Sequence, residues 1–303
     1  MIGIVAPCGP VDRNATMKAC RFLEEKGYRI KLAPHLFESC GYFAGTDRQR
    51  ASDFNLMFED REIEAIFIAR GGYGSARILP YIDYGIVRQN PKILVGYSDA
   101  TALQLALFSE NKLVSFYGPV VSLDFSGASA QQELDHMMLA LSAEPGTGLF
   151  PAPLPDSVEI LSHGRSEGTL IGGCLSVLVS LLGSEHFPDM RDAVLFLEDI
   201  DEPPYRIDRY LTQLELSGVL SGLSGVLLGA FVDCIPRRDG PSFSVEEVLE
   251  ERFLDCGYPV VSGLPFGHIA EKATLAQGVR AAIDTDDLSL TYLMAACDAS
   301  VSL

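Results

Sequence analysis

Three polar residues with the chemistry of a nucleophilic hydrolase each follow an apolar, strand-like run. Ser98 follows KILVGY, Glu198 ends AVLFLE, and His268 lies in GLPFGH after YPVVS. A serine attacks a carbonyl when a base removes its proton, and a histidine base needs a carboxylate that orients and stabilises it. If the carboxyl ends of these strands meet at one sheet edge, the side chains converge there. The three residues are therefore candidates for nucleophile, acid and base.

Each candidate also has a structural interpretation, which the sequence leaves open. Ser98 suits the N-cap of a helix at 101–110 about as well as it suits a nucleophile, because polar residues would fill the first turn. The acidic residues around Glu198 could form a solvated face, paired with Arg206 and Arg209, but Glu198 is the exception because it stands closest to the buried strand. A lone histidine in a loop, such as His268, is more often structural than catalytic.

A glycine-rich loop with the sequence RGGYG, residues 70–74, follows the apolar run AIFIA. Glycines let backbone amides approach a ligand closely, and the Lys-Ser/Thr ending of a phosphate-binding loop is missing here. Amides that hold an oxyanion or a carboxylate fit better, and we expect Arg70, Gly71 and Tyr73 to contact substrate. Arg70 would either bind a substrate carboxylate or buttress the loop. The amide of Asp99 would point toward the same oxyanion. The structural alternative is a tight strand-to-helix connection.

The first half of the chain alternates strand-like and helix-like segments. Strands are predicted at 2–6, 29–33, 65–69 and 93–95, and helices at 11–26, 46–60 and 101–110. The runs at 65–69 and 93–95 are apolar on all sides, as in a parallel sheet that is covered on both faces. Thr46 is predicted to cap its helix, with Arg48, Arg50 and Glu59 on the outer face. This alternation predicts a doubly wound α/β domain that binds ligands at the carboxyl ends of its strands.

The stretch EPGTGLFPAPLPDS is rich in Gly, Pro and Ser and predicts a linker. We place it at 146–164, between an N-terminal domain at 1–145 and a C-terminal domain at 165–303. In the second half, strands are predicted near 168–171, 193–197, 226–231 and 260–261, and helices near 176–182, 206–216 and 244–255. A closing pair of strands is predicted at 274–283 and 288–292.

Composition argues against several classes of function. The formal net charge of −18 disfavours nucleic-acid binding, which needs clustered Lys and Arg, and adsorption to an anionic membrane. The N-terminal apolar run stops at Pro7, too early for a signal peptide or membrane span, so we expect a cytoplasmic protein. The seven scattered cysteines predict neither disulfides nor a zinc site. Cys8, near the predicted active-site loops, leaves a cysteine nucleophile as a remote alternative.

Several of these runs together resemble the serine L,D-carboxypeptidases, or muramoyltetrapeptide carboxypeptidases. The runs are IARGGYGSARILPYIDY, PKILVGYSDATAL, SFYGP, EGTLIGGCLSVLVSLLGS, LFLEDIDEPPYRIDRYLTQL, GVLLGAF and LPFGH. The resemblance implies a Ser98–Glu198–His268 triad and an oxyanion hole formed by the amides of Gly72 and Asp99. It also implies a flavodoxin-like N-terminal domain and a smaller β/α C-terminal domain, with the active site in the cleft between them.

The resemblance further implies a small peptide substrate and a homodimer. Members of the family release the terminal D-alanine from murein tetrapeptide during cytoplasmic cell-wall recycling, without a metal or other cofactor. A sister branch that resembles the microcin C self-immunity proteins cleaves an amide in a peptide-nucleotide instead. The alternative from another class is a non-catalytic protein whose glycine loop binds an anionic ligand.

The chain departs from the family pattern at four positions outside the triad. Cys8 and Cys174 stand where Ser and Asn are expected, Tyr117 stands where His is expected, and Ser184 replaces Thr. These departures leave the predicted chemistry unchanged and bear on the shape of the pocket and on substrate preference.

Overall fold

The computed structural model describes residues 1–237 and 240–297, which form two β-sheets and the helices around them. The strands are β1 (Ile2–Val5), β2 (Ile30–Leu32), β3 (Ala65–Ile68), β4 (Ile93–Gly96), β5 (Ser115–Tyr117), β6 (Glu159–Ser162), β7 (Arg165–Cys174), β8 (Ala193–Ile200), β9 (Gly225–Val232), β10 (Val260–Ser262), β11 (Leu275–Gln277), β12 (Arg280–Asp284) and β13 (Ser289–Tyr292). The helices are α1 (Arg13–Glu25), α2 (Asp47–Glu59), α3 (Ser75–Ile78), α4 (Tyr84–Gln89), α5 (Thr101–Asn111), α6 (Val121–Asp124), α7 (Ala130–Leu141), α8 (Leu175–Ser180), α9 (Pro204–Leu216) and α10 (Val245–Phe253). Within the described ranges, none of these helices is long and apolar enough to cross a membrane.

The first sheet has six strands in the order β11-β5-β4-β3-β1-β2. Strands β1 to β5 are parallel, and their order β2-β1-β3-β4-β5 is that of flavodoxin-like, doubly wound sheets. Every residue of β3 and β4 is buried, as the apolar runs predicted. The predicted α/β fold of the first half is therefore confirmed. Ser98 follows β4 and the glycine loop follows β3, so both lie at the carboxyl edge of this sheet.

The second sheet has seven strands in the order β13-β12-β7-β8-β9-β10-β6. Its centre, β7 to β10, is parallel, and the flanking strands β6, β12 and β13 are antiparallel. Strand β6 lies within the segment predicted as a linker, where it pairs with β10. Glu198 belongs to β8 and His268 follows β10, so both come from this second sheet.

The prediction of a single strand at 274–283 is wrong, because this segment divides between the two sheets. Strand β11 pairs antiparallel with β5 of the first sheet, whereas β12 pairs with β7 and β13 of the second. The chain changes sheets at Gly278, whose amide donates to the carbonyl of Leu170 at 2.8 Å. The C-terminal half thus contributes an edge strand to the N-terminal sheet.

Helix α2 begins as predicted, but one of its arginines is not on the outer face. Thr46 caps the helix in a capping box with Gln49. Arg50 is only 1% exposed, and its guanidinium donates to the carbonyls of Pro7 and Gly74. A guanidinium can be buried when several acceptors surround it, and here Asp47 of the same helix and two loops supply them. Arg50 therefore joins the loop after β1 to the glycine loop.

Candidate active site

Ser98 lies on a strained turn between β4 and α5. Its φ is +66°, a left-handed value that residues other than glycine rarely adopt. Thr101 Oγ1 donates to the Ser98 carbonyl at 2.7 Å and so holds the turn. Tyr97 and Ala100 occupy the N-cap positions of the 3₁₀ turn and of α5. The Ser98 Oγ lies 2.9 Å from Nε2 of His268 instead, so the helix-cap interpretation of Ser98 is wrong.

His268 lies between Ser98 and Glu198. Its Nδ1 is 2.7 Å from Oε2 of Glu198, and its backbone N–H donates to the same oxygen at 3.1 Å. Because an ionised carboxylate only accepts hydrogen bonds, Nδ1 is the donor, and Nε2 of the neutral ring faces the Ser98 hydroxyl as an acceptor. The Tyr97 ring packs edge-on against the imidazole, with 4.9 Å between centroids. The structure therefore brings the three candidates into one hydrogen-bonded chain.

Glu198 occupies an irregularity near the end of β8. The register of β8 with β9 shifts between Leu197 and Asp199, and such a bulge redirects the side chain at that point. The strand continues to Ile200, beyond its predicted end at 197. The Glu198 side chain is fully buried. Its charge is therefore held by donors on neighbouring elements rather than by solvent.

The glycine loop packs directly against the Ser98 turn. A Cβ on Gly71 would lie 2.8 Å from both Cβ and Oγ of Ser98, so a larger residue would collide with the hydroxyl. On its other side the loop meets the segment after β1, where the Gly9 amide donates to the Gly71 carbonyl at 3.1 Å. Gly72 lies over Gly9, close enough that an added Cβ would come within 3.3 Å of that backbone. These contacts, rather than a tight connection alone, account for the paired glycines.

Asp99 ties the Ser98 turn to the glycine loop. Its Oδ2 accepts the Ser75 amide at 2.8 Å, and the Ser75 hydroxyl donates to the Asp99 carbonyl. Burial raises the pKa of the Asp99 carboxyl. The Cys8 thiol is also buried and bonded to Asp99, and burial together with this carboxyl raises its pKa. A buried thiol that stays protonated is a poor nucleophile, so the burial of Cys8 and its bond to Asp99 argue against the cysteine alternative.

The residues predicted to contact substrate lie beside an open cavity at the glycine loop. The cavity has a volume of about 530 Å³ and is lined by Gly9, Pro10, Tyr42, Arg70, Gly72 and Tyr73. Arg70 is exposed, and its Nη1 donates to the Pro10 carbonyl at 2.7 Å. Tyr73 is 52% exposed and packs against Tyr42, with 5.9 Å between ring centroids. Gly71 lies behind them, against Ser98.

Cys174 and Asp199 form a buried polar group behind the carboxylate of Glu198. The Cys174 thiol donates to Oδ1 of Asp199 at 3.4 Å, and Oδ2 accepts the Ser176 amide at 2.7 Å. Burial raises the pKa of Asp199 to about 6. Burial and the carboxylates of Asp199 and Glu198 raise the pKa of the Cys174 thiol. Cys174 therefore supports the strand ends from behind as a protonated thiol.

Tyr117 is the contact that the sequence analysis missed. Its hydroxyl donates to Oε1 of Glu198 at 2.6 Å and accepts the Ser98 amide at 3.2 Å. From the sequence, Tyr117 stood out only as a departure from the family pattern. A usable signal was its place at the end of β5, because parallel pairing of β4 with β5 sets Tyr117 beside Gly96, close to the Ser98 turn.

Comparisons with known proteins agree with this arrangement. Residues 2–118 match the description "LD-carboxypeptidase N-terminal domain", and residues 167–283 match "LD-carboxypeptidase C-terminal domain". A probable murein peptide carboxypeptidase of Bacillus subtilis (strain 168) is 38% identical over 294 residues, which cover 94% of this chain and 88% of the relative.

Solved structures show the same fold over nearly the whole chain. A muramoyltetrapeptide carboxypeptidase from Oxalobacter formigenes aligns with a TM-score of 0.80 at 28% identity, over 96% of this chain and 97% of that one. MccF in complex with glutamyl sulfamoyl guanosine aligns with a TM-score of 0.86 at 26% identity, over 96% and 95%. The family resemblance and the two-part α/β fold are therefore confirmed, and the chain belongs to the LD-carboxypeptidase family.

Proposed function

We propose that this protein is a serine L,D-carboxypeptidase that releases the terminal D-alanine from murein tetrapeptide. The observation that carries the proposal is the chain of bonds from Ser98 Oγ to His268 Nε2 at 2.9 Å and from His268 Nδ1 to Glu198 Oε2 at 2.7 Å. Its order and distances are those that nucleophilic acyl transfer needs. The family membership and the printed names of its relatives support the substrate class.

In the proposed mechanism His268 serves first as a base and then as an acid. Nε2 takes the Ser98 proton while Oγ attacks the carbonyl that precedes D-alanine. Glu198 holds the imidazole through Nδ1 and stabilises the imidazolium that forms. The imidazolium then protonates the amine of D-alanine as the amide C–N bond breaks. Water, activated by the same nitrogen, hydrolyses the acyl-enzyme and restores the serine.

The amides of Gly72 and Asp99 form the oxyanion hole in this proposal. They lie on two loops that Asp99 and Ser75 bond together, so both donors are fixed before substrate arrives. A fixed donor of this kind lowers the barrier by about 3 kcal/mol. The Ser98 amide is engaged by Tyr117, which leaves the next amide along the chain for the oxyanion.

We assign substrate recognition to the open cavity beside the glycine loop. Arg70, Gly71 and Tyr73 are proposed to contact the peptide there, with the Arg70 guanidinium reading a carboxylate. Arg70 bonds the Pro10 carbonyl through Nη1, and a guanidinium carries further donors that can receive a carboxylate. The acidic chain would thus present a local cation to an anionic peptide.

We further propose a cytoplasmic homodimer that needs no metal or other cofactor. In each subunit, an N-terminal domain at 1–145 and a C-terminal domain at 165–303 would be joined by a linker at 146–164, the last part of which forms strand β6. The gap between the two matched family segments, 2–118 and 167–283, contains that linker and supports this division. Light scattering of the purified protein measures the oligomeric state.

The test of the proposed chemistry is Ser98→Ala. Purified wild-type protein should release D-alanine from murein tetrapeptide, and Ser98→Ala should lose about 10⁴-fold or more in kcat. Ser109→Ala, in the helix α5 that follows the Ser98 turn, is the matched control and should keep wild-type activity. A fluorophosphonate probe should label the wild type and the control but not Ser98→Ala. Full activity in Ser98→Ala would rule out Ser98 as the nucleophile.

A second candidate is hydrolysis of an amide in a peptide-nucleotide by the same three residues. The structural similarity to MccF, with a TM-score of 0.86, favours keeping it. Parallel assays on murein tetrapeptide and on an aminoacyl sulfamoyl nucleotide separate the two candidate functions. Each function predicts a much larger kcat/KM for its own substrate than for the other. A purely binding protein is disfavoured, because it has no need for Ser98 Oγ to lie 2.9 Å from His268 Nε2.

A further inference from the structure

We propose that Tyr117 is a positioning residue for this reaction. One hydroxyl would hold the buried acid Glu198 and the turn of the nucleophile Ser98 at a fixed separation. The inference rests on the proposed triad and adds to it a fourth residue that acts through Glu198 and the Ser98 turn.

The geometry of the hydroxyl lets both contacts exist at once. It donates to Oε1 of Glu198 at 2.6 Å and accepts the Ser98 amide at 3.2 Å. A hydroxyl has one proton and two lone pairs, so donating to one group leaves it free to accept from the other. Tyr117 therefore links the Ser98 backbone to the Glu198 carboxylate directly, without His268 between them.

Packing leaves the Tyr117 ring little freedom. The residue is 1% exposed, and its ring lies edge-on to Phe196 at 5.3 Å and to Tyr97 at 6.2 Å between centroids. Its backbone is paired on both sides, with Gly96 of β4 and with Leu275 of β11. A hydroxyl held this firmly acts as a fixed reference point for the two groups that it contacts.

The Glu198 carboxylate depends on this donor. Oε2 accepts both the ring and the backbone N–H of His268, whereas Oε1 accepts the Tyr117 hydroxyl. Burial and the Glu198 charge raise the pKa of the Tyr117 hydroxyl, so it keeps its proton throughout the neutral range. Without that donor, Oε1 would be a buried charged oxygen that lacks its partner, and the carboxylate would become more basic.

A more basic carboxylate has a defined consequence for the pH profile. It holds the His268 imidazolium more tightly, so the imidazole keeps its proton to a higher pH. When the solution is acidified, the neutral imidazole that Ser98 needs as its base is therefore protonated at a higher pH than in the wild type. The acid limb of the pH profile, where activity falls as the pH is lowered, therefore moves to higher pH. A substitution that disturbed only folding would lower the amount of active enzyme without moving this acid limb.

The test is Tyr117→Phe, with Tyr292→Phe as the matched control. Tyr292 is also buried, and its hydroxyl accepts the Ala276 amide at 3.0 Å, so its loss removes a buried hydroxyl from outside the triad. For Tyr117→Phe we expect the acid limb of kcat/KM to move up by about half to one pH unit. We also expect a kcat about 10-fold lower at the plateau and little change in KM. Tyr292→Phe should leave the limb where it is in the wild type.

The rate of Ser98 labelling by a fluorophosphonate, followed against pH, separates this proposal from the choice of substrate. The same upward shift should appear there, whichever peptide the enzyme hydrolyses. An unmoved acid limb in a folded Tyr117→Phe would overturn the positioning role, and the triad would still stand if Ser98→Ala remained unlabelled. Labelling of Ser98→Ala at the wild-type rate would instead overturn the proposed function.

A second variant covers the case in which Tyr117→Phe does not fold. 3,5-Difluorotyrosine incorporated at position 117 keeps the ring and hydroxyl and makes the hydroxyl a stronger donor. The carboxylate then becomes less basic, and the acid limb should move to lower pH. An acid limb that stays at the wild-type position in this variant would overturn the proposal.

Discussion

Replacing Asp199 by asparagine should change how the stability of the protein depends on pH. Asp199 is 1% exposed and follows Glu198 in β8. Its Oδ2 accepts the Ser176 amide at 2.7 Å, and its Oδ1 accepts the Ile200 amide at 2.8 Å. Asparagine has nearly the same shape and keeps one carbonyl acceptor, but it does not ionise. The substitution therefore removes one proton equilibrium with little change in packing.

The magnitude follows from the raised pKa of Asp199. Burial, reinforced by the neighbouring Glu198 charge, raises this pKa from 3.8 to about 6. The folded protein thus keeps a proton that the unfolded chain releases. The stability that this proton provides is fully present below about pH 4 and is lost as the pH rises through about 6. One pKa unit corresponds to about 1.4 kcal/mol, so the change amounts to about 3 kcal/mol.

Urea unfolding of the wild type and Asp199→Asn at several pH values measures this change. The free energy of unfolding of the wild type minus that of the variant should fall by about 2.5 kcal/mol, most of the full change, between about pH 4 and about pH 7.5. Asp189→Asn is the control, because Arg191 lowers the pKa of Asp189 to about 2 and this exposed carboxyl stays ionised over the whole range. Its difference should stay nearly constant. A flat difference for Asp199→Asn would refute the reasoning.

Two further pairs of substitutions test burial and close packing. Lys272 is 2% exposed with its Nζ 3.0 Å from Oε1 of Glu133, so Lys272→Met should lower the free energy of unfolding by about 3–5 kcal/mol. Arg165→Ala, at an exposed ion pair, should lower it by less than about 1 kcal/mol, and equal losses in urea unfolding would contradict the burial argument. Gly267→Ala should lower kcat/KM by about 100-fold in steady-state kinetics, because at φ +105° its Cβ would lie 2.5 Å from the buried triad carboxylate. Gly257→Ala, with a φ of +94° and nothing within 4 Å, should keep wild-type activity, and an equal loss there would rule out the collision.

The presence of the strands was predictable from the local sequence pattern, but the strand with which each one pairs was not. A parallel strand that is covered on both faces buries every residue, so AIFI and ILVG are readable as β3 and β4. Nothing local distinguishes a strand of one sheet from a strand of the other. The segment at 274–283 was therefore predicted as one strand, although its first part pairs with β5 and its second part with β7.

Arg50 shows a similar limit for burial. Its residue type and helical position predict a solvent-exposed side chain, because an isolated charge is costly to bury. Asp47 of the same helix pairs with its guanidinium, but the remaining acceptors are the carbonyls of Pro7 and Gly74, which come from two distant loops. A pattern within one helix carries no information about acceptors that the tertiary fold supplies.

The candidate site was predictable to the level of strand ends. Ser98, Glu198 and His268 were identified because each follows an apolar run, and the structure brings them together. The bulge that redirects Glu198 was not predictable, since it depends on the register of β8 with β9. The Tyr117 contact was missed because no strand was predicted at 115–117, although the end of a strand beside β4 was the signal that could have indicated it.

One member of the triad comes from the first sheet and two come from the second, and strand β11 pairs with the strand that carries Tyr117, which contacts both parts. Ser98 follows β4 of the first sheet, whereas Glu198 and His268 belong to the second. The 2.9 Å contact between Ser98 Oγ and His268 Nε2 therefore crosses from one sheet to the other. Tyr117 pairs with Leu275 of β11, a strand that the second half contributes, and its hydroxyl reaches Glu198. A small displacement of one sheet against the other would thus disturb the hydrogen bonds among Ser98, His268 and Glu198 without unfolding either sheet. A substitution that causes such a displacement should lower kcat at a point where the free energy of unfolding is still unchanged.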